Sequence, residues 1–327
     1  MKTHHISLLT EDVDRNFHFY TKILGLRFIK NSVNQAKPLR RHIYYGDFLG
    51  TPGTVVTFFP IDHFHERFDG LNFFSGIHFS IPTGAIPFWK MRLANFDITS
   101  TLDDKGRLHF VDYDNIPIRL QETNKVNFDW HINRMSDVDA DFQITGVVGA
   151  EMHVPDVNKT IKFFEDLLEL KTYDNIIKLD DGEAIELVPT DKNTEKSKFG
   201  WGSTDHYALG VESESDLKYF WNKAEKLGYT QELFVDRGYF KSAYFLEPNG
   251  NRVELATTNP GFTLDESVFN LGTTFALPPK FESQRELLLE HYAKKNVYFN
   301  QVKPYISNDN MDDFKTNFSK IDGKFNR

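Results

Sequence analysis

Apolar and polar positions along this chain alternate in a pattern that recurs over long intervals. Residues 5–20, HISLLTEDVDRNFHFY, begin as an alternating apolar run, pass through acidic residues and continue at helical spacing. Alternation reads as a half-buried strand, and apolar residues three and four apart read as one face of a helix. Asp12 is a candidate N-cap, Phe17, Tyr20, Ile23 and Leu24 form the helical stripe, and Gly25 can end it. Strand-like runs follow at Leu26–Val33, His42–Phe48 and Thr54–Phe59.

The unit returns at 149–164 as GAEMHVPDVNKTIKFF, with Asp156 in the place of Asp12 and Phe163–Phe164 in that of Phe19–Tyr20. LLELKTYDN, IIKLDD and EAIELVP complete it. It returns at 206–220 as HYALGVESESDLKYF, followed by ELFVD, SAYFLEP and NRVELATT. A more eroded copy spans 76–121, with GIHFSIP, a helix around IPFWKMRL and strands ending in IPIRLQ. The order strand–helix–strand–strand–strand thus occurs four times, starting near residues 5, 76, 149 and 206. An α+β fold of four βαβββ modules is expected. Modules one and two occupy 1–122, a polar, acidic linker 123–142, and modules three and four 143–258. Residues 259–327 hold one helix within LPPKFESQRELLLEHYAKK and a polar tail, with 300–327 read as an arm or a partly disordered stretch.

Composition narrows the chemistry. The chain has 327 residues, 31 Phe and no Cys. That excludes disulfides, thiolate nucleophiles, iron–sulfur clusters and cysteine-ligated zinc, so a metal site must use His, Asp or Glu. The formal charge is 38 − 47 = −9, against a nucleic-acid or anionic-membrane partner. The start, MKTHHISLLTEDVDR, lacks the long apolar stretch of a signal peptide. TVVTFFPI at 54–61 is far short of the ~20 residues a membrane helix needs. A cytoplasmic protein is expected, with homo-oligomerisation left open.

Strand alternation then sorts the candidate ligands. If Ile6 and Leu8 face the helix, His5, Ser7 and Leu9 face the other way. In module four Tyr207, Leu209 and Val211 face the helix, leaving His206 opposite; Val253 and Leu255 leave Glu254 opposite. A curved sheet would gather His5, His206 and Glu254 in its concavity. Two imidazoles and one carboxylate suit Fe(II) or Mn(II) and leave coordination positions open. Equivalent positions elsewhere carry Thr57, Gly76, Arg119, Gly149 and Glu186, although Glu151 and His153 keep a second site in view. His63, His65, His109, His131 and His291 read as ordinary surface or hydrogen-bonded residues; His78 and His153 are intermediate, and His42 in RHIYYGD is a candidate pocket residue. Pairing modules three and four would offer Glu186, His206 and Glu254; pairing one and four offers His5, His206 and Glu254, the two-His set.

The stretch YFLEPNGNRVEL at 244–255 resembles the closing hairpin of the vicinal-oxygen-chelate superfamily, which includes glyoxalases, bleomycin-resistance proteins and extradiol dioxygenases. HHISLLTEDVDRNFHFYTKILGLRFIKNSVN, YYGDFLGTPGTVVTFFP and DRGYFKSAYFLEPNGNRVELATTNPGF together resemble its four-module ring-cleaving group, with hydroquinone 1,2-dioxygenases and quinone-resistance proteins. The likeness runs from about residue 3 to 280. It implies two paired-module domains with curved mixed sheets and helices outside, and one Fe(II), sometimes Mn(II), held by His5, His206 and Glu254. It also implies that Arg237 and Tyr244 contact substrate, and that the enzyme is an extradiol-type dioxygenase taking O2 and a hydroquinone or catechol, in quinone detoxification. QAKPLRRH at 35–42 departs from the more acidic, Tyr-containing approach expected in that group, which bears on substrate preference. Two other readings are a glyoxalase-like isomerase or lyase using Zn, Ni or Co with Glu186 or Glu254 as base, and a metal-free protein that binds an aromatic toxin.

Overall fold

In the computed structural model, which describes residues 1–61, 64–125 and 127–299, each module forms as its alternation dictates. Module one comprises β1 (Thr3–Thr10), α1 (Val13–Phe17, continued by a π-helical turn), β2 (Arg27–Asn34), β3 (Lys37–Gly46) and β4 (Val55–Pro60). Module two comprises β5 (Phe73–Pro82), α2 (Ile86–Asn95), β6 (Thr101–Leu102), β7 (Leu108–Val111) and β8 (Pro117–Thr123). Module three has β9 (Gly146–Val154), α3 (Val157–Asp166), β10 (Lys171–Tyr173), β11 (Ile176–Lys178) and β12 (Ala184–Pro189). Module four has β13 (Thr204–Val211), α4 (Glu214–Leu227), β14 (Thr230–Asp236), β15 (Lys241–Leu246) and β16 (Arg252–Thr257). A final helix, α5, spans Arg285–Ala293.

Helix starts follow the predicted caps. The Asp12 carboxylate accepts from the amides of Asp14 and Arg15, and Asp156 accepts from Lys159. Ser213 and Asp216 form a reciprocal capping box on α4, which ends at Gly228 with φ 76°, a left-handed conformation that favours glycine.

The modules assemble into two eight-stranded mixed sheets. The first runs β14-β15-β16-β13-β1-β4-β3-β2 and joins modules four and one through antiparallel β13 and β1. The second runs β10-β11-β12-β9-β5-β8-β7-β6 and joins modules three and two through β9 and β5. The α+β fold of four βαβββ modules is thus observed. One buried cluster spans both sheets and their helices, from Ile6, Leu8, Tyr207 and Leu209 to Phe79, Trp89, Phe163 and Leu217. Burying these side chains, at about 25 cal/mol per Å² of apolar surface, is the main force holding the layers together.

The chain after β16 packs Phe275, Leu277, Leu288 and Tyr292 against Val33 of β2. Lys30, fully buried, reaches Asp265 at 2.6 Å and Glu266 at 2.5 Å, so its charge is paired. No helix among the described residues is long and apolar enough to cross a membrane. His63 and the 300–327 arm lie outside the described residues.

Candidate metal centre

Register across the first sheet sets the site. His5 lies opposite Ala208, Ala208 beside Glu254, and Glu254 opposite Tyr244. In the neighbouring row His206 lies opposite Ser7, Ser7 beside Thr57, and Thr57 opposite Tyr44. Paired residues share a face, so these side chains line the concave surface together. Ala208, small and central, leaves room for larger neighbours to converge. His5 Nε2, His206 Nε2 and the Glu254 carboxylate do converge: their ligand atoms all lie within 4.8 Å of one another. His206 Nε2 is 2.8 Å and His5 Nε2 3.3 Å from Glu254 Oε2, and the two nitrogens are 3.2 Å apart.

Hydrogen bonds on the far side of each ring fix which nitrogen faces the centre. His4 Nε2 is 3.1 Å from the Thr257 carbonyl, which can only accept, so His4 carries its proton there. Burial pushes His4 down to about 3, so its ring is neutral and its Nδ1 bare. His5 Nδ1, 2.8 Å away, must then donate to it, which leaves a lone pair on His5 Nε2. Burial also lowers His5 below the usual imidazole range. His206 Nδ1 donates to Asp205 Oδ2 at 2.6 Å. Arg252 Nη1 holds both Asp205 oxygens at 3.1 Å and is itself held by Glu232. Burial alone would raise the Glu254 carboxyl, but the flanking imidazoles hold it well below the usual range.

Two lone pairs and a carboxylate at these separations repel unless a cation lies among them. Both Glu254 oxygens are buried, and neither has a hydrogen-bond partner in good geometry. A proton on His206 partly relieves this. Burial opposes that proton, but Glu254 and Asp205 on either side raise the pKa of the ring. A divalent cation would compete for the same lone pair, and the donor set fits one.

Arg237 and Tyr244 stand at the wall. Arg237 Nη2 donates to Tyr244 Oη at 2.9 Å, and Nη1 donates to Asn34 Oδ1 at 3.1 Å. Burial and the Glu254 charge hold the Tyr244 phenol protonated. With its oxygen accepting from Arg237, Tyr244 has its own proton to donate. His42 also belongs to this face: Nε2 lies 2.8 Å from Thr57 Oγ1, and Nδ1 2.5 Å from Tyr44 Oη. Burial holds His42 well below its ordinary range. A cavity of about 1390 Å³ opens onto His206, Arg237 and Tyr244, with Leu9, Phe59, Phe199 and Leu233 in its walls.

Glu186 is not brought to this centre. It lies in the second sheet, where Arg119 reaches it at 2.7 Å and Glu151 at 2.6 Å. His153 stacks on Phe73 and contacts Glu151, and His78 is buried beside Arg119. His131 pairs with Asp47 and His109 with Asp103, away from the centre.

Alternation missed His4 and Asp205. A strict period of two turns both away from their neighbours. Between Thr3 and His5, β1 advances two residues while β13 advances one; between Ser7 and Leu8, β13 advances two while β1 advances one. Each bulge re-aims the residue beside a candidate ligand toward that ligand's outer nitrogen. The adjacent pairs His4–His5 and Asp205–His206 were the available signal.

A model of the Glyoxalase/Bleomycin resistance protein/Dioxygenase superfamily matches residues 2–65 and 146–255. The chain is 33% identical over 299 residues to the "Putative ring-cleaving dioxygenase MhqA" of Bacillus subtilis (strain 168), over 86% of this chain and 95% of that protein. It is 26% identical over 311 residues to the chlorohydroquinone/hydroquinone 1,2-dioxygenase of Sphingobium indicum, over 88% of this chain and 94% of that protein. Its fold matches the crystal structure titled a "putative dioxygenase" from Bacillus subtilis subsp. subtilis str. 168, with a TM-score of 0.81 and 27% identity over 93% of this chain and 98% of that one.

Proposed function

The chain belongs to the Glyoxalase/Bleomycin resistance protein/Dioxygenase superfamily, and we propose that within it this protein is a ring-cleaving dioxygenase of extradiol type that joins O2 to a hydroquinone or catechol. The observation that carries this reading is the convergence of His5 Nε2, His206 Nε2 and an unbonded, buried Glu254 carboxylate below an aromatic-walled cavity. These three residues are the proposed ligands of Fe(II), or of Mn(II). Such an ion supplies Lewis acidity toward a ring hydroxyl and a path for electrons between ring and O2.

The remaining roles belong to the protein. His4 and Asp205 hold the two imidazoles with their Nε2 lone pairs inward. Tyr244, oriented by Arg237, offers its O–H to a ring oxygen or to charge developing on the substrate. One such preorganised donor can be worth ~3 kcal/mol in the transition state. Apolar walls at Phe59, Phe199 and Leu233 favour a flat aromatic ring and exclude water around it.

The glyoxalase-like alternative that used Glu186 as base loses support, because Arg119 and Arg107 hold that carboxylate in the other sheet. The test is oxygen uptake with a panel of hydroquinones and catechols after anaerobic Fe(II) loading. Stoichiometric uptake with a ring-opened product is expected; no uptake by metal-replete protein across the panel would sink the proposal.

A further inference from the structure

The basic run at 35–42 folds onto the same cavity that opens at His206, Arg237 and Tyr244. Lys37, Arg40 and Arg41 of β3 line it, and Lys295, just beyond α5, lines it too. His206, Arg237 and Tyr244 are buried, whereas Lys37, Arg40 and Lys295 are exposed, so the cations form the outer end and the candidate metal centre the inner end. This concentration of positive charge sits on a chain of net charge −9.

The carboxylates that line the cavity do not neutralise it. Asp205 is engaged by His206 and Arg252, Glu232 by Arg252, and Glu11 lies 4.0 Å from Arg15. Arg41 is bonded to Asn31. Among the described residues Lys37, Arg40 and Lys295 form no ion pair. The rim is also tied to the floor: Asn34 accepts from Arg237 at 3.1 Å and from the amides of Ala36 and Lys37 at 2.9 and 3.1 Å. The turn that presents Lys37 is therefore braced against the residue that orients Tyr244. At about 1390 Å³ the cavity exceeds the roughly 300–1,000 Å³ of ordinary small-molecule sites, so it has room for more than one ring.

We propose that the preferred substrate is an aromatic diol that carries an anionic substituent, of the carboxylate or sulfonate class. Its ring lies toward His206 and Tyr244, and its anion faces Lys37, Arg40 and Lys295. This rests on the dioxygenase reading for the fate of the ring, but not for binding. Opposite charges a few ångströms apart in water are worth about fivefold in affinity per pair and weaken as salt shortens the Debye length from about 30 Å at 0.01 M to about 8 Å at 0.15 M.

The test is calorimetric titration of the Fe(II)-loaded protein under anaerobic conditions, where no turnover occurs, with hydroquinone and with 2,5-dihydroxybenzoate. Tighter binding of the carboxylate by about tenfold at low salt is expected, with the advantage shrinking as salt is added. Lys37→Gln, Arg40→Gln and Lys295→Gln change exposed side chains; each should reduce affinity for 2,5-dihydroxybenzoate by about threefold to fivefold and leave that for hydroquinone unchanged. Equal or weaker binding of the carboxylate, a preference indifferent to salt and to all three substitutions, or no binding of either probe would overturn the inference. Oxygen uptake with hydroquinone separates the two claims. Uptake without a carboxylate preference overturns this inference alone, and a carboxylate preference without uptake by any diol overturns the dioxygenase reading alone.

Discussion

Register places the rows of the second sheet against those of the first. Ser75 takes the place of His5, Glu151 that of Ala208, Gly149 that of His206, Glu186 that of Glu254 and Arg119 that of Thr57. Both sheets therefore put a glutamate on the concave face of the closing strand, and each must neutralise it. The second does so permanently, by swinging Arg119 across to Glu186 and Glu151. It has also lost the room for a ligand on β9: a Cβ at Gly149 would fall 2.1 Å from the Ala184 carbonyl oxygen. The first sheet surrounds Glu254 with imidazole lone pairs and a small Ala208, an arrangement that an exchangeable cation would complete. One fold thus yields a fixed ion-pair centre and a candidate metal centre, according to whether the neutralising charge is covalently part of the chain.

The sharpest way to break this contrast is Glu254→Gln, which keeps the volume and removes the charge. Metal analysis should show the ion lost, and oxygen uptake should fall by more than about 100-fold, beyond the range seen when only a ligand's outer partner is removed. Next come those outer partners. Asp205→Asn and His4→Phe should each weaken metal affinity by about 10–100-fold, read by competition with a chelator, without unfolding the chain. If both variants bind metal normally, the two bulges have no role in orienting the imidazoles.

Arg119→Met tests the other sheet. It should leave metal content unchanged and cost about 2 kcal/mol in urea unfolding, less than the 3–5 kcal/mol of a fully buried pair because Glu151 and Glu186 are partly exposed. Adding Glu151→Gln and Glu186→Gln should recover much of that loss. A drop in metal content with Arg119→Met alone would contradict the division of labour between the sheets.

The smallest effect is a pH dependence where module one meets module two. Tyr20 from module one donates to Asp112 Oδ2 at 2.9 Å, and Thr10 donates to Asp114 at 2.5 Å. Burial, reinforced by Asp114, pushes Asp112 up to about 7 despite the donors around it. A carboxyl raised on folding binds its proton more tightly in the folded state. Its contribution is therefore favourable in acid and is lost as pH rises from the ordinary carboxylate value of about 4 through about 7. Asp112→Asn should flatten stability over that window, measured as the urea midpoint at successive pH values.

Strand alternation and module equivalence were enough to read the α+β class, the four modules and the shared face of His5, His206 and Glu254, because both depend on periods written locally in the chain. Arg119 could be named as the odd residue of module two, but its grip on two carboxylates of module three could not, since that contact needs β8, β5, β9 and β12 in one register. The same holds for the basic run at 37–41, which lies outside the strands expected from alternation; in the fold it opens β3, α5 packs against it through Tyr292 and the Pro38 carbonyl, and its cations line the cavity.

What the sequence by itself determined is therefore which side chains point to which side of each strand wherever the pairing is regular. The tertiary structure decided which modules share a sheet, joining one to four and two to three, and where the register slips by one residue. Those slips bring His4 and Asp205 to the backs of the two imidazoles. The physical reason is that side-chain direction is a property of consecutive residues. Pairing and bulges instead follow from the free energy of packing segments about 200 residues apart, which no local period encodes.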